Sequence, residues 1–136
     1  MMQGPGYCTA NRSMLLPAAF FEQLWQGDGD AAVALVLAHE WGHHVQRLLD
    51  LFNGAYFTIQ TELQADCFAG TFFNYANQAG WLDPGDLDEA LALSWKAGDP
   101  DVVSWFDPGA HGSSEQRVAA FRRGFLGRQS CGLYTS

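Results

Sequence analysis

A five-residue pattern, His39-Glu40-Trp41-Gly42-His43, constrains this chain more than any other feature. It follows the apolar run Ala31 to Ala38, in a stretch through Gln46 with no proline and one glycine, so a helix is expected. A helix turns about 100° per residue, which puts His39 and His43 on one face, about 40° apart. Two imidazoles placed that way can grip one Zn2+ while leaving it short of ligands and open to water. Glu40 lies about 60° from His43 on the same wheel, so it can flank the ion without ligating it. A carboxylate there can act as general base on a metal-activated water. Three fixed residues in five recur by chance, so the weight comes from context. Two histidines and a glutamate ending an apolar helix are costly to bury without a partner, and a metal ion is one.

A second pair four residues apart, Glu62 and Asp66, lies near the start of another long helix expected from about Thr58 to Ala79. Like charges at that spacing repel, and a solvated acidic face is one reading. Beside the histidines, the favoured reading is that both point at a cation. Glu62 is then the third zinc ligand, and Asp66 holds the distal N–H of a ligand histidine.

The remaining segments are shorter. Tyr7 to Thr9 and Ser13 to Leu16 read as a small hairpin or edge strands, with Ser13 to Leu16 able to align a peptide by strand addition. Pro17 opens a helix over 18–26 with four large apolar side chains, and Asp30 is expected to cap the metal helix, which runs to about Asp50. Gly54 is the left-handed position of the turn that follows. Asp83-Pro84 reads as a cap and first-turn proline for a helix over 85–97. A loop over 98–109 leads to His111, and Ser113 with Gln116 has capping-box spacing for a last helix through about Phe125. His111 therefore stands at a fixed place before a helix start, where a neutral imidazole can donate to an oxyanion. Arg117 can brace the His111 loop by hydrogen bonds or through an acidic partner.

The 136 residues, 48% apolar, suit one domain over 1–136 with one core. Fifteen acidic against seven basic side chains, a net charge of −8, argue against a nucleic-acid partner. No apolar run approaches membrane-spanning length and no signal peptide is visible, so no membrane contact is expected from this chain itself. Three cysteines do not make a cysteine zinc site or a disulfide scaffold. Cys67, on an apolar helix, is expected as a buried free thiol, and Cys8 and Cys131, near the two ends, as the pair that bridges.

The blocks around His39 to Gln46, Glu62 to Gly70 and His111 to Val118 resemble, in order, the signature blocks of the bacterial neutral zinc metallopeptidase family. Gly4-Pro5, Tyr7-Cys8 and the segment Leu82 to Asp86 match as well, so the resemblance covers nearly the whole chain. The family is similar in layout to small gluzincin-type peptidases. The resemblance implies ligands His39, His43 and Glu62, catalytic base Glu40, Asp66 and Arg117 behind the ligands, and His111 stabilising the transition state. It also implies an extracytoplasmic or membrane-anchored setting. The segment between Asp50 and Glu62 is shorter than the family pattern, so substrate scope does not carry over.

Together these readings give an α+β, mainly helical, single zincin-like domain with two long metal-ligand helices and a small β element near the N-terminus. Its expected function is a zinc-dependent endopeptidase acting on a peptide or protein substrate. The alternatives are a zinc amide hydrolase on a non-protein substrate such as a cell-wall peptide, or a zinc-stabilised pseudo-enzyme that acts as a binding module.

Overall fold

The computed structural model describes residues 4–99, 104–127 and 130–133. It opens with two short strands, β1 (Gly6–Cys8) and β2 (Ser13–Leu15), paired antiparallel with Tyr7 opposite Met14. Five helices follow: α1 (Ala18–Asp28), α2 (Asp30–Leu48), α3 (Thr58–Gln78), α4 (Asp86–Lys96) and α5 (Ser114–Leu126). The chain is thus mainly helical with one small N-terminal sheet, as its periodicity and turn residues imply. Of the expected 98–109 loop, residues 100–103 lie outside the described residues.

The core is built where α2, α3, α4 and α5 meet. Leu35 of α2, Phe73 of α3, Ala90 of α4 and Phe121 of α5 are buried in one cluster. A second cluster, with Ile59, Leu63 and Ala120, closes the start of α3 against α5. Burying a large aliphatic or aromatic side chain is worth roughly 1.5–3 kcal/mol, so these two clusters fix the helix pairing. The most extensive packing is between α3 and α5. Gly70 and Gly124 make it possible: a Cβ on either would run into the facing helix backbone, at Phe121 and at Cys67 respectively. Gly42, inside the His39–His43 pattern, does the same for α2, since a Cβ there would meet Ala65 of α3 at 3.2 Å. The two helices that carry the paired charges are therefore held close along their facing sides.

Helix ends differ from expectation in three places. Asp30 makes no side-chain cap for α2; the Ala31 N–H donates instead to Glu89 Oε1 of α4, at 3.2 Å. A cap supplied across the core also ties α4 to α2, which a local residue cannot do. The helix ends at Leu48 because Asp50 takes a left-handed conformation, φ 58°, and Leu51 N–H closes back on Gln46 O. Asp83 does not cap α4; the helix begins later, and Asp86 Oδ2 accepts from the Asp83 N–H at 2.7 Å. The capping box at α5 forms as its spacing implies, with Gln116 N–H donating to Ser113 Oγ and Ser113 N–H donating to Gln116 Oε1. Gly54 is left-handed, φ 85°.

The cysteine pairing is also different. Cys67 and Cys131 form the disulfide, with Cα atoms 5.7 Å apart, and Cys8 is an exposed free thiol. Cys67 is fully buried on α3 with its carbonyl against Gly124 of α5, and Cys131 lies beside the same helix, its carbonyl accepting from Gln64. Cys8 instead lies in the hairpin, which is fastened to α2: Tyr7 Oη hydrogen-bonds His44 Nδ1 at 2.7 Å, and Arg47 Nε donates to Thr9 O at 3.0 Å. No helix among the described residues is long and apolar enough to cross a membrane.

Candidate metal centre

Because α2 and α3 lie side by side, their two i,i+4 pairs face each other. His39 Nε2 stands 3.0 Å from Glu62 Oε2, and His43 Nε2 stands 3.4 Å from Glu62 Oε1. The two Nε2 atoms are 3.1 Å apart, with the rings edge to face. Zn2+ held at 2.0–2.1 Å by tetrahedral ligands separates its donors by about 3.3 Å. The Nε2–Nε2 and His39 Nε2–Glu62 Oε2 separations, 3.1 and 3.0 Å, lie within a few tenths of an ångström of that value, and Glu62 turns its other oxygen to His43, so the donor set fits the ion.

The other ring nitrogens are already committed. His39 Nδ1 faces Asp66 Oδ1 at 2.8 Å, and His43 Nδ1 faces Gln46 Oε1 at 2.9 Å. Each Nδ1–H donates to its acceptor, so with both rings neutral the two Nε2 lone pairs would point into the space between the helices. Two lone pairs and a carboxylate cannot converge there without a cation or a proton between them. The titration behaviour shows the same demand. Burial pushes His39 down, but Asp66 and Glu62 outweigh it, raising its pKa to about 10. Burial pushes Glu62 up, yet hydrogen bonds from His39 and His43 and their charge hold it far below the ordinary carboxylate range.

Asp66 is itself held. Arg117 of α5 donates from Nε to Asp66 Oδ2 at 2.8 Å and from Nη2 to Asp66 Oδ1 at 2.9 Å. A third bond runs from Arg117 Nη1 to Ala97 O at 3.0 Å, at the end of α4, and the arginine stem lies beside Gly112 of the His111 loop.

Glu40 is buried beside these groups, and its Oε2 has no hydrogen-bond partner among the described residues. A buried carboxylate oxygen left free is rare and calls for a partner that the described residues do not supply. Glu40, His111 and Arg117 line one cleft of about 460 Å3 with His39, His43, Glu62 and Asp66. The His111 side chain is half-exposed at this cleft. Its backbone is fixed by Asp99, whose Oδ2 accepts from both His111 and Gly112 N–H at 3.0 Å. A second, smaller depression adjoins the first across Tyr7, His43 and Glu62, and is walled by Leu51, Phe52 and Tyr56. The structure therefore brings all seven sequence-picked residues to one place.

Four residues near the centre were not singled out from the sequence. Gln46 stands three residues after His43, a helical spacing that is itself a readable signal. Gln64, Asp99 and Tyr7 carry no such signal, because their partners lie on other segments.

A small helical domain that converges two imidazoles and a carboxylate on one cleft is a scaffold for zinc with open coordination. The chain belongs to the family described as "Putative neutral zinc metallopeptidase", whose model matches residues 1–132. It is 36% identical over 146 residues to uncharacterized protein YpfJ of Escherichia coli (strain K12), covering 91% of this chain and 51% of that one. It is 31% identical over 150 residues to uncharacterized protein Rv2575 of Mycobacterium tuberculosis (strain ATCC 25618 / H37Rv), covering 90% and 51%. The chain thus spans about half the length of these curated relatives. No solved structure matches it.

Proposed function

We propose that the protein is a zinc-dependent endopeptidase of gluzincin-like layout. The observation that carries this reading is the free, buried Oε2 of Glu40 in the cleft where His39, His43 and Glu62 converge. His39, His43 and Glu62 would hold the ion. Bound there, zinc supplies an acidified water, its pKa lowered toward ~7, and a Lewis acid for the scissile carbonyl.

The chain's own residues do the rest. Glu40 Oε2, which no donor among the described residues occupies, takes the proton of the attacking water and delivers it to the leaving amine. Asp66 keeps His39 in the tautomer that turns Nε2 toward the centre, and Arg117 keeps Asp66 ionised and in place. His111, at the open side of the cleft with its backbone anchored by Asp99, donates to the oxygen that gains charge.

The shape of the cleft supports a peptide or protein substrate. It continues on both sides of His43 and Glu62, which suits a chain running past the metal more than a small amide in a blind pocket. The strand that borders it is β1, through Gly6 and Tyr7, while no residue of β2 lines it, which supports β1 over Ser13 to Leu16 as the strand that would align a peptide. The deciding experiment is cleavage of a peptide blocked at both termini and of casein, with and without a chelator. Cleavage lost to the chelator and restored by zinc is expected; cleavage of small amides alone would move the reading to the non-protein hydrolase.

A further inference from the structure

We infer that Gln46 is a positioning residue for the metal centre, and that a buried chain through Gln64 to the Cys131 carbonyl sets its direction. The inference rests on His43 being a metal ligand. Gln46 is fully buried and Gln64 nearly so, and a primary amide in such a place must satisfy both of its ends.

The polarity of the chain is determined by two backbone carbonyls, which can only accept. Gln64 Nε2 donates to Cys131 O at 2.9 Å, so Gln64 Oε1 must face the other way, toward Gln46. Gln46 Nε2 donates to that oxygen at 2.9 Å and to Thr61 O at 2.7 Å. With both N–H groups used on α3, Gln46 can offer His43 only its Oε1. An acceptor at that point obliges a neutral His43 to carry its proton on Nδ1 and to present a bare Nε2. The opposite tautomer would set two lone pairs against each other at 2.9 Å and leave a proton where the metal belongs.

The far end of the chain is pinned covalently. Cys131 is bonded to Cys67 of α3, one turn beyond Gln64, which holds the accepting carbonyl over the Gln64 amide. Asp66 and Arg117 serve His39 with charges, whereas His43 is served by neutral amides whose order is set by the fold. The two ligands are thus oriented by independent devices.

The test uses the full chain with Gln46→Met, Gln46→Glu and Gln64→Met, reading zinc affinity by chelator competition, the visible spectrum of the cobalt-loaded protein, and thermal midpoint. Gln46→Met keeps length and apolar packing but removes the acceptor, and zinc affinity should fall about 10–100-fold with a changed cobalt spectrum. Gln46→Glu retains an acceptor for His43, and should recover zinc affinity even where its thermal midpoint is lower. Gln64→Met should weaken zinc binding less, and add nothing once Gln46→Met is present. Zinc affinity that follows thermal midpoint across all three variants would overturn the inference, as would additive losses in the double variant. Failure of the unmutated protein to bind zinc would overturn the ligand assignment itself; tight binding unchanged by either Gln46 variant would remove only this role.

Discussion

Arg117 and Asp66 form a two-pronged ion pair across the α3–α5 interface, Nε to Oδ2 at 2.8 Å and Nη2 to Oδ1 at 2.9 Å, and the same carboxylate orients His39. Burial pushes the Asp66 carboxyl up, but the charge and hydrogen bonds of Arg117, with His39 adding, hold it below its ordinary value. A depressed carboxyl contributes stability that is present above its unfolded value, about 3.9, and is lost as pH falls through the folded value. Arg117→Ala leaves a buried carboxylate uncompensated, at a cost of about 3–5 kcal/mol. The acid unfolding midpoint should then move to higher pH. An acid transition that stays where it is in the variant would show that the pair is not coupled to stability.

Glu40 should separate binding from chemistry. Its Oε2 has no hydrogen-bond partner among the described residues, so Glu40→Gln should bind zinc normally and lose turnover by roughly 10²–10⁴-fold. Metal content and peptide cleavage measured on one preparation check this. A variant that cleaves at the unmutated rate would end the proposed mechanism.

The metal-free centre should hold a proton that zinc displaces. With its pKa raised to about 10, His39 is protonated at neutral pH, and that charge stabilises the metal-free fold. The contribution is fully present below the unfolded value, about 6.5, and is lost as pH rises through about 10. Zinc uptake near pH 8 should therefore release a proton, and apparent affinity should rise with pH across that window. Calorimetry in buffers of different ionisation enthalpy reads the proton directly; an enthalpy independent of buffer would contradict it.

The sequence made some of this visible and hid the rest, for a physical reason. Pairs four apart on one helix, His39 with His43 and Glu62 with Asp66, obey a local rule, and so does the Ser113–Gln116 box. Those relations appear in the fold as their spacing implies. What was hidden depends on which segments meet. Glu89 capping α2 requires α4 to lie across the start of that helix, and Asp99 holding His111 requires the end of α4 beside the start of α5. The cysteines make the point most sharply: proximity to the two chain ends favoured Cys8 with Cys131, but the segment after α5 returns over α3 and finds Cys67.

That pairing is directly measurable. Thiol titration of the unfolded protein should find one free cysteine, and Cys8→Ser should reduce it to none. Cys131→Ser opens a loop whose ends are 64 residues apart, and the chain-entropy account puts the loss near roughly 4 kcal/mol. Denaturant midpoints should fall for Cys131→Ser and stay put for Cys8→Ser. Equal losses in both would contradict the pairing.

His111 carries the sharpest claim about chemistry. Its backbone is locked by Asp99, which accepts from the N–H groups of His111 and Gly112, while Asp99 N–H donates to Gly112 O at 2.8 Å. Its imidazole is left half-exposed at the cleft, with Asp99 Oδ1 at 3.9 Å from Nδ1. A side chain held at its root and free at its tip can meet an oxygen that develops charge only as the reaction proceeds. His111→Ala should therefore lower kcat with KM and zinc affinity little changed, by about 2–4 kcal/mol of barrier, the range for a lost oxyanion donor. Asp99→Ala removes the anchor and leaves the imidazole in place, so it should lower kcat by a smaller amount and do nothing further once His111 is alanine. Unchanged kcat in His111→Ala would return this residue to the loop, as would a loss confined to KM.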